Sequence, residues 1–92
     1  MQSEIEVTIS TILRQFNEGN EIILIPCCKV HQIPAQVAEN CPKLKNYLFN
    51  KEGMVSGFIN IYINGVHHED LNSEHSLSPQ DRVEIITSLV GG

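Results

Sequence analysis

The sequence has few basic residues: six Lys and Arg against eleven Asp and Glu, for a net charge of −5 over 92 residues. The six are scattered as Arg14, Lys29, Lys43, Lys45, Lys51 and Arg82. Without a basic stripe to neutralise phosphates, no nucleic acid is expected as a partner. An acidic protein is instead steered towards basic docking surfaces. Long apolar runs are also missing: nothing approaches the roughly 18 consecutive apolar residues of a membrane span, so no membrane partner is expected. The first residues carry Glu4 and Glu6 where a secretory signal has a basic and then an apolar stretch. Cysteine is limited to Cys27, Cys28 and Cys41, an odd number without the spacing of a disulfide framework. The expectation is a reducing, cytoplasmic compartment.

Recognisable catalytic sets are missing as well. No Ser-His-Asp order and no paired carboxylates stand out, and a nucleophilic Cys27 or Cys28 would need a base to depress its pKa. The chain alone is expected not to be an enzyme. Cys27, Cys28, His31 and Cys41 depart from the Cys-x₂₋₄-Cys spacing that zinc prefers, so no metal is expected. His67 and His68 are adjacent, and neighbours on a strand face opposite ways, so they read as solvated residues and not as a ligand pair.

What is present is a single domain's worth of patterned sequence, residues 1–92. Ile5, Val7 and Ile9 alternate with polar residues, as in a strand with one buried face. Thr11 to Arg14 and the turn cluster Asn17-Glu18-Gly19-Asn20 lead to a second strand, Glu21 to Ile25, ended by Pro26; the two strands read as a hairpin. Val30, Ile33, Val37, Cys41, Leu44 and Leu48 recur at helical spacing. Pro34 is tolerated only in a first helical turn, which starts the helix near His31, and Pro42 breaks it into a second short segment. Phe58 to Ile63 reads as a third strand, and Asn64-Gly65 is a type I′ turn signal into a short strand at Val66 to His68. Asp70 to Gln80 is irregular and pinned by Leu71 and Leu77, before a last strand from Arg82 to Ser88. Hairpin, helix, hairpin and final strand make an α+β layer arrangement that suits the ubiquitin-like β-grasp, with a mixed sheet and one main helix on one face. Ile5, Val7, Ile23, Val37, Ile61, Val83 and Ile85 are the expected core.

The sequence ends on Leu89-Val90-Gly91-Gly92. Two glycines at a terminus arise by chance in about one chain in two hundred. Glycine has no Cβ, so such a tail fits a channel too narrow for other residues, and the Gly92 carboxylate is unhindered. Strand alternation adds a second candidate feature. With Ile59, Ile61, Ile63, Val83 and Ile85 inward, Phe58, Tyr62 and Ile86 point outward as an exposed apolar patch for a partner.

These residues carry a family resemblance. Val7 to Arg14, Phe58 to Gly65, Asp81 to Ile85 and the terminal Gly91-Gly92 resemble the MoaD/ThiS family of ubiquitin-like sulfur carriers, most nearly its CysO-like, cysteine-synthesis branch. Two departures are the uncapped Cys27-Cys28-Lys29-Val30 before the helix and Pro79-Gln80-Asp81 before the last strand. The resemblance implies a free tail over residues 89–92 and no bound cofactor. It implies that an ATP-dependent adenylyltransferase of the MoeB/ThiF type activates the Gly92 carboxylate, with Gly91 in the channel. Sulfur then replaces AMP, and the thiocarboxylate serves a sulfur-accepting biosynthetic enzyme. Leu89 and Val90 join Phe58, Tyr62 and Ile86 as the residues expected to touch partners. A ubiquitin-like modifier joined through Gly92 to lysines and the small subunit of molybdopterin synthase are the alternatives.

Overall fold

The computed structural model describes residues 3–88. Five strands form one mixed sheet: β1 (Glu4–Ile9), β2 (Ile22–Pro26), β3 (Ile59–Ile63), β4 (Val66–His67) and β5 (Val83–Thr87), in the order β2-β1-β5-β3-β4. The last strand is central, parallel to β1 and antiparallel to β3. Helix α1 (Ile33–Asn40), a 3₁₀ turn (Pro42–Leu44) and helix α2 (Lys45–Leu48) cover one face. The fold is the expected β-grasp.

Alternation decides which face each strand buries. Ile5, Val7 and Ile9 of β1, Ile23 and Ile25 of β2, Ile59, Ile61 and Ile63 of β3, and Val83 and Ile85 of β5 all point under the helices and are buried. Val30, Ile33, Val37, Cys41, Leu44 and Leu48 close the core from the other side, at the helical spacing read from sequence. Every one of the seven expected core residues, from Ile5 to Ile85, is in this cluster. Burying a Leu, Ile or Val side chain completely contributes about 1.5–3 kcal/mol, so this layer carries most of the fold's stability.

The helix starts without a Ser, Thr, Asp or Asn cap, and the structure shows what replaces it. The Gln32 side chain reaches back to the Lys29 N–H at 2.8 Å, as the last residue of a capping box does. Pro34 is the second residue of α1, where its missing N–H has no intrahelical partner. The irregular segment after β4 then ties this start down: Val30 N–H donates to His75 C=O, His31 N–H to Ser73 C=O and Leu77 N–H to Cys28 C=O. Lys29 Nζ and His31 Nε2 share the Glu74 carboxylate at 2.9 and 3.3 Å. Lys29 holds Glu74 below the ordinary carboxylate value, through its hydrogen bond first and its charge second.

Three local expectations need correction. The link from β1 to β2 is no simple turn: Thr11–Asn17 forms a 3₁₀ helix that buries Leu13 completely. The third strand begins at Ile59, because the Ile59 N–H turns back to Ser56 C=O at 3.0 Å and leaves Phe58 in that turn. His67 and His68 do not diverge. β4 ends at His67 and a 3₁₀ turn begins at His68, so strand alternation stops between them and their rings lie 4.7 Å apart, half-buried. Among the described residues no helix is long and apolar enough to cross a membrane.

Candidate functional site

The sheet face opposite the helices carries the first candidate surface. Asn60 and Tyr62 of β3 and Glu84 and Ile86 of β5 point to it, with Asn60 opposite Ile86 and Tyr62 opposite Glu84. Tyr62 and Ile86 are therefore diagonal neighbours, within reach of one another's side chains. Ile86 is 40% exposed. Tyr62 is half-buried because His67, its partner across the β3–β4 hairpin, stands edge-on to its ring at 5.3 Å. That hairpin is set by Asn64 and Gly65, whose φ angles of 53° and 84° make the turn foreseen from the Asn-Gly pair. The contact of His67 with Tyr62 was open to counting outward from this two-residue turn, yet the alternation of His67 and His68 alone hid it.

Phe58 leaves this row. Sitting in the Ser56–Ile59 turn, it is half-buried against the core, and its ring stands edge-on to Tyr47 of α2 at 6.3 Å. Tyr47 in turn packs on Phe16 at 4.6 Å. The outward patch of the structure is Tyr62 and Ile86 without Phe58. It continues across β1 and β2 as a mixed acidic and apolar surface: Glu4, Glu6 and Thr8, then Ile22 and Leu24, which are 39% and 47% exposed. The run Glu21-Ile22-Ile23-Leu24-Ile25 is apolar at every position after the first, so alternation could not say which residues face out; the register with β1 does.

The second candidate is the tail. Gly91, Gly92, Leu89 and Val90 lie outside the described residues. Their attachment point is described. Ser88 N–H donates to Phe58 C=O at 2.8 Å, and Thr87 N–H to Ser10 Oγ at 3.4 Å, so β5 is held on both sides up to its end. The other end of β5 is clamped too. The Asp81 carboxylate accepts from Ser78 N–H at 2.8 Å and from Asn64 Nδ2 at 2.9 Å, while Asn64 Oδ1 accepts from Arg82 N–H. These bonds, the Ser78 amide first, hold Asp81 below the ordinary carboxylate value. The Pro79-Gln80-Asp81 turn thus anchors the strand whose far end leads to residue 89.

Neither Cys28 nor Cys41 is set up as a nucleophile. Burial, and secondarily Cys27, pushes the Cys28 thiol up, away from the thiolate form. Cys41 is buried and its Sγ donates to Phe16 C=O at 3.2 Å, a packing role. Among the described residues no three His, Cys, Asp or Glu side chains are grouped to hold a metal. An open cleft of about 530 Å³ lies beside the loop before β3, lined among others by His31, Met54, Ser56, His67, His68 and Glu69, with His67 Nδ1 3.7 Å from the Glu69 carboxylate.

The ThiS family model matches residues 7–92. No relative among curated proteins matches the chain. Among solved structures, SAMP1 from Haloferax volcanii superposes with a TM-score of 0.79 at 16% identity, over 98% of this chain and 100% of that one. The small archaeal modifier protein 1 from Methanosarcina acetivorans gives 0.78 at 25% identity, over 100% and 99%. A chain of the BexX/CysO complex from Amycolatopsis orientalis gives 0.75 at 26% identity, over 96% and 99%. The match runs from β1 through the central strand to the paired glycines, on a ubiquitin-like β-grasp: the chain belongs to the ThiS family.

Proposed function

We propose that this protein is a sulfur carrier whose reactive group is the Gly92 carboxylate. The observation that carries the reading is the family match, which extends through Gly91 and Gly92 beyond the last strand. A carboxylate is a poor electrophile. A partner adenylyltransferase of the MoeB/ThiF type supplies ATP: a Gly92 oxygen attacks the α-phosphorus, pyrophosphate leaves, and an acyl-adenylate forms. Sulfide then adds to the acyl carbon and AMP departs with the bonding electrons, leaving a thiocarboxylate. Splitting the exchange into two steps replaces one hard substitution with two easier ones. The ATP and the catalytic groups belong to the partner; this chain supplies the tail and a docking face built on Tyr62 and Ile86, with Leu89 and Val90 leading into the partner's channel. The thiocarboxylate then donates sulfur to a biosynthetic acceptor enzyme in the cytoplasm, and the similarity to a chain of the BexX/CysO complex supports an acceptor that binds the carrier directly.

The test is incubation with the cognate adenylyltransferase, ATP and sulfide, followed by intact-mass spectrometry. The expected product is a chain in which one oxygen of Gly92 is replaced by sulfur. Full adenylation of the partner's control substrate with no mass change here would overturn the reading. A second reading, a protein modifier, draws on the 25% identity with a small archaeal modifier protein over the whole chain. It predicts reductant-resistant conjugates in which a target lysine has displaced AMP from Gly92.

A further inference from the structure

Strand β2 forms one edge of the sheet, and its backbone groups sort by parity. Ile9 N–H donates to Glu21 C=O at 2.8 Å and Cys27 N–H to Ser3 C=O at 3.0 Å, so the odd-numbered residues of this strand bond to β1. The even-numbered residues, Ile22, Leu24 and Pro26, direct their backbone groups away from the sheet. Among the described residues, the N–H and C=O of Leu24 and the N–H of Ile22 have no hydrogen-bond partner. The Ile22 C=O is the exception, since it accepts from Asn17 Nδ2 at 3.1 Å. Pro26 offers an acceptor and no donor.

We propose that this edge pairs with the same edge of a second copy of the chain, antiparallel, about a two-fold axis at Leu24. Such a contact is isologous, so each group must be complementary to its own symmetry mate's neighbours. At the centre, the Leu24 N–H and C=O meet the Leu24 C=O and N–H of the second copy, a reciprocal hydrogen-bonded pair. Two residues out, Ile22 faces Pro26 of the second copy. Its N–H donates to that proline's C=O. The return bond of an ordinary antiparallel pair would need a proline N–H and a free Ile22 C=O; the first does not exist and the second is already bonded to Asn17. Proline at an edge normally blunts pairing. Here it falls where the opposing strand requires only an acceptor.

Side chains and charge agree with this occupant. Leu24 and Ile22 are the exposed apolar residues of the strand, and the two-fold sets Leu24 against Leu24 and Ile22 beside the Pro26 ring. No charged residue lies between Glu21 and Lys29, and Glu4 and Glu6 stand one strand in, on β1. Two copies of net charge −5 therefore meet along the uncharged part of the sheet. A five-residue edge is small against the roughly 1,000 Å² that a durable interface needs, so the dimer is weak and forms at high concentration. Its remaining opposition is long-range repulsion, which salt screens.

Sedimentation of the full chain from about 10 µM to about 1 mM, a range that brackets weak association, reads this directly. The weight-average mass should climb towards twice the monomer value, and climb further when salt is raised. Leu24→Lys sets two ammonium groups face to face on the two-fold while leaving the buried face untouched, and should stay monomeric throughout with the wild-type melting temperature. Tyr62→Ala, on the same face but away from the edge, should dimerise like wild type. Hydrogen exchange should slow at the Leu24 and Ile22 amides as concentration rises. A wild-type chain that stays monomeric to the top of the range overturns the proposal. So does a dimer that survives Leu24→Lys, or one that forms without protecting the Leu24 amide.

Discussion

Tyr62 and Phe58 lie four residues apart in one stretch of sequence, and the structure gives them opposite tasks. Tyr62 stands on the open face with His67 edge-on to its ring. Removing it should cost the fold little, about 0.5–1.5 kcal/mol for the lost edge-on contact. Aromatic anchors of interfaces tend to carry binding energy, so Tyr62→Ala should weaken association with the activating enzyme about tenfold or more. Phe58 packs on Tyr47 and the core, so Phe58→Ala should destabilise by roughly half the 3–5 kcal/mol typical of a fully buried Phe and leave association nearly unchanged. Chemical denaturation and binding titration of both variants check the pair; equal binding losses would place Phe58 back in the docking surface. Alternation predicts both as outward because it assumes the strand begins at Phe58. It fails at the one residue where the hydrogen bond from Ile59 N–H to Ser56 C=O folds the chain back, and no residue type in Ser56-Gly57-Phe58 announces which way the ring will turn.

The strands and helices themselves were largely legible because each buries one face and the core residues recur at periods of two or of three to four. The central place of β5 is a property of the whole sheet, since periodicity alone does not rank strands within it. The connections were less legible. Thr11–Asn17 has a single buried apolar residue, and one Leu carries no period, so Leu13 did not register as core. It is fully buried, and Leu13→Ala should cost about 2–5 kcal/mol, a loss visible as a lowered midpoint of urea unfolding. The turn before β5 has its own signature. Asp81 is depressed in the folded chain by the Ser78 amide and the Asn64 side chain. A depressed carboxylate contributes stability that is complete above its unfolded value, near 3.8 for Asp, and is lost as pH falls through the lower folded value. Asp81→Ala should therefore melt below wild type at pH 7, and the gap should narrow as pH drops under about 4. Asp81 is half-buried at the surface, and solvent screening there keeps the gap small. A gap that stays constant from pH 7 to strongly acid pH would show that the carboxylate charge plays no part in holding this turn.

At the scale of the whole molecule, the proposed carrier role asks the domain to be a rigid mount for a group that a partner activates. β5 is bonded on both sides along its length, and Ser88 is still tied to Phe58 at its end. The number of residues beyond that fixed point sets the farthest reach of the Gly92 carboxylate. A partner that grips the Tyr62 and Ile86 face while reacting with Gly92 measures that reach from its own side. Positioning of this kind is demanding: a displacement of about 1 Å can cost on the order of 100-fold in rate. Deleting Gly92 withdraws the carboxylate by about 3.3–3.6 Å, and adding one residue advances it equally. Gly91→Val keeps the length and adds a β-branched side chain, which a channel matched to glycine does not admit. All three changes should abolish ATP–pyrophosphate exchange with the cognate adenylyltransferase. They should leave the melting temperature nearly unchanged, because among the described residues the apolar core ends at Ile85. Docking measured through the Tyr62 face should persist in each, which separates a failed reaction from a failed encounter. Exchange at the wild-type rate by the Gly92 deletion would mean that the activated carboxylate is not the one on Gly92, and the carrier reading would fall with it.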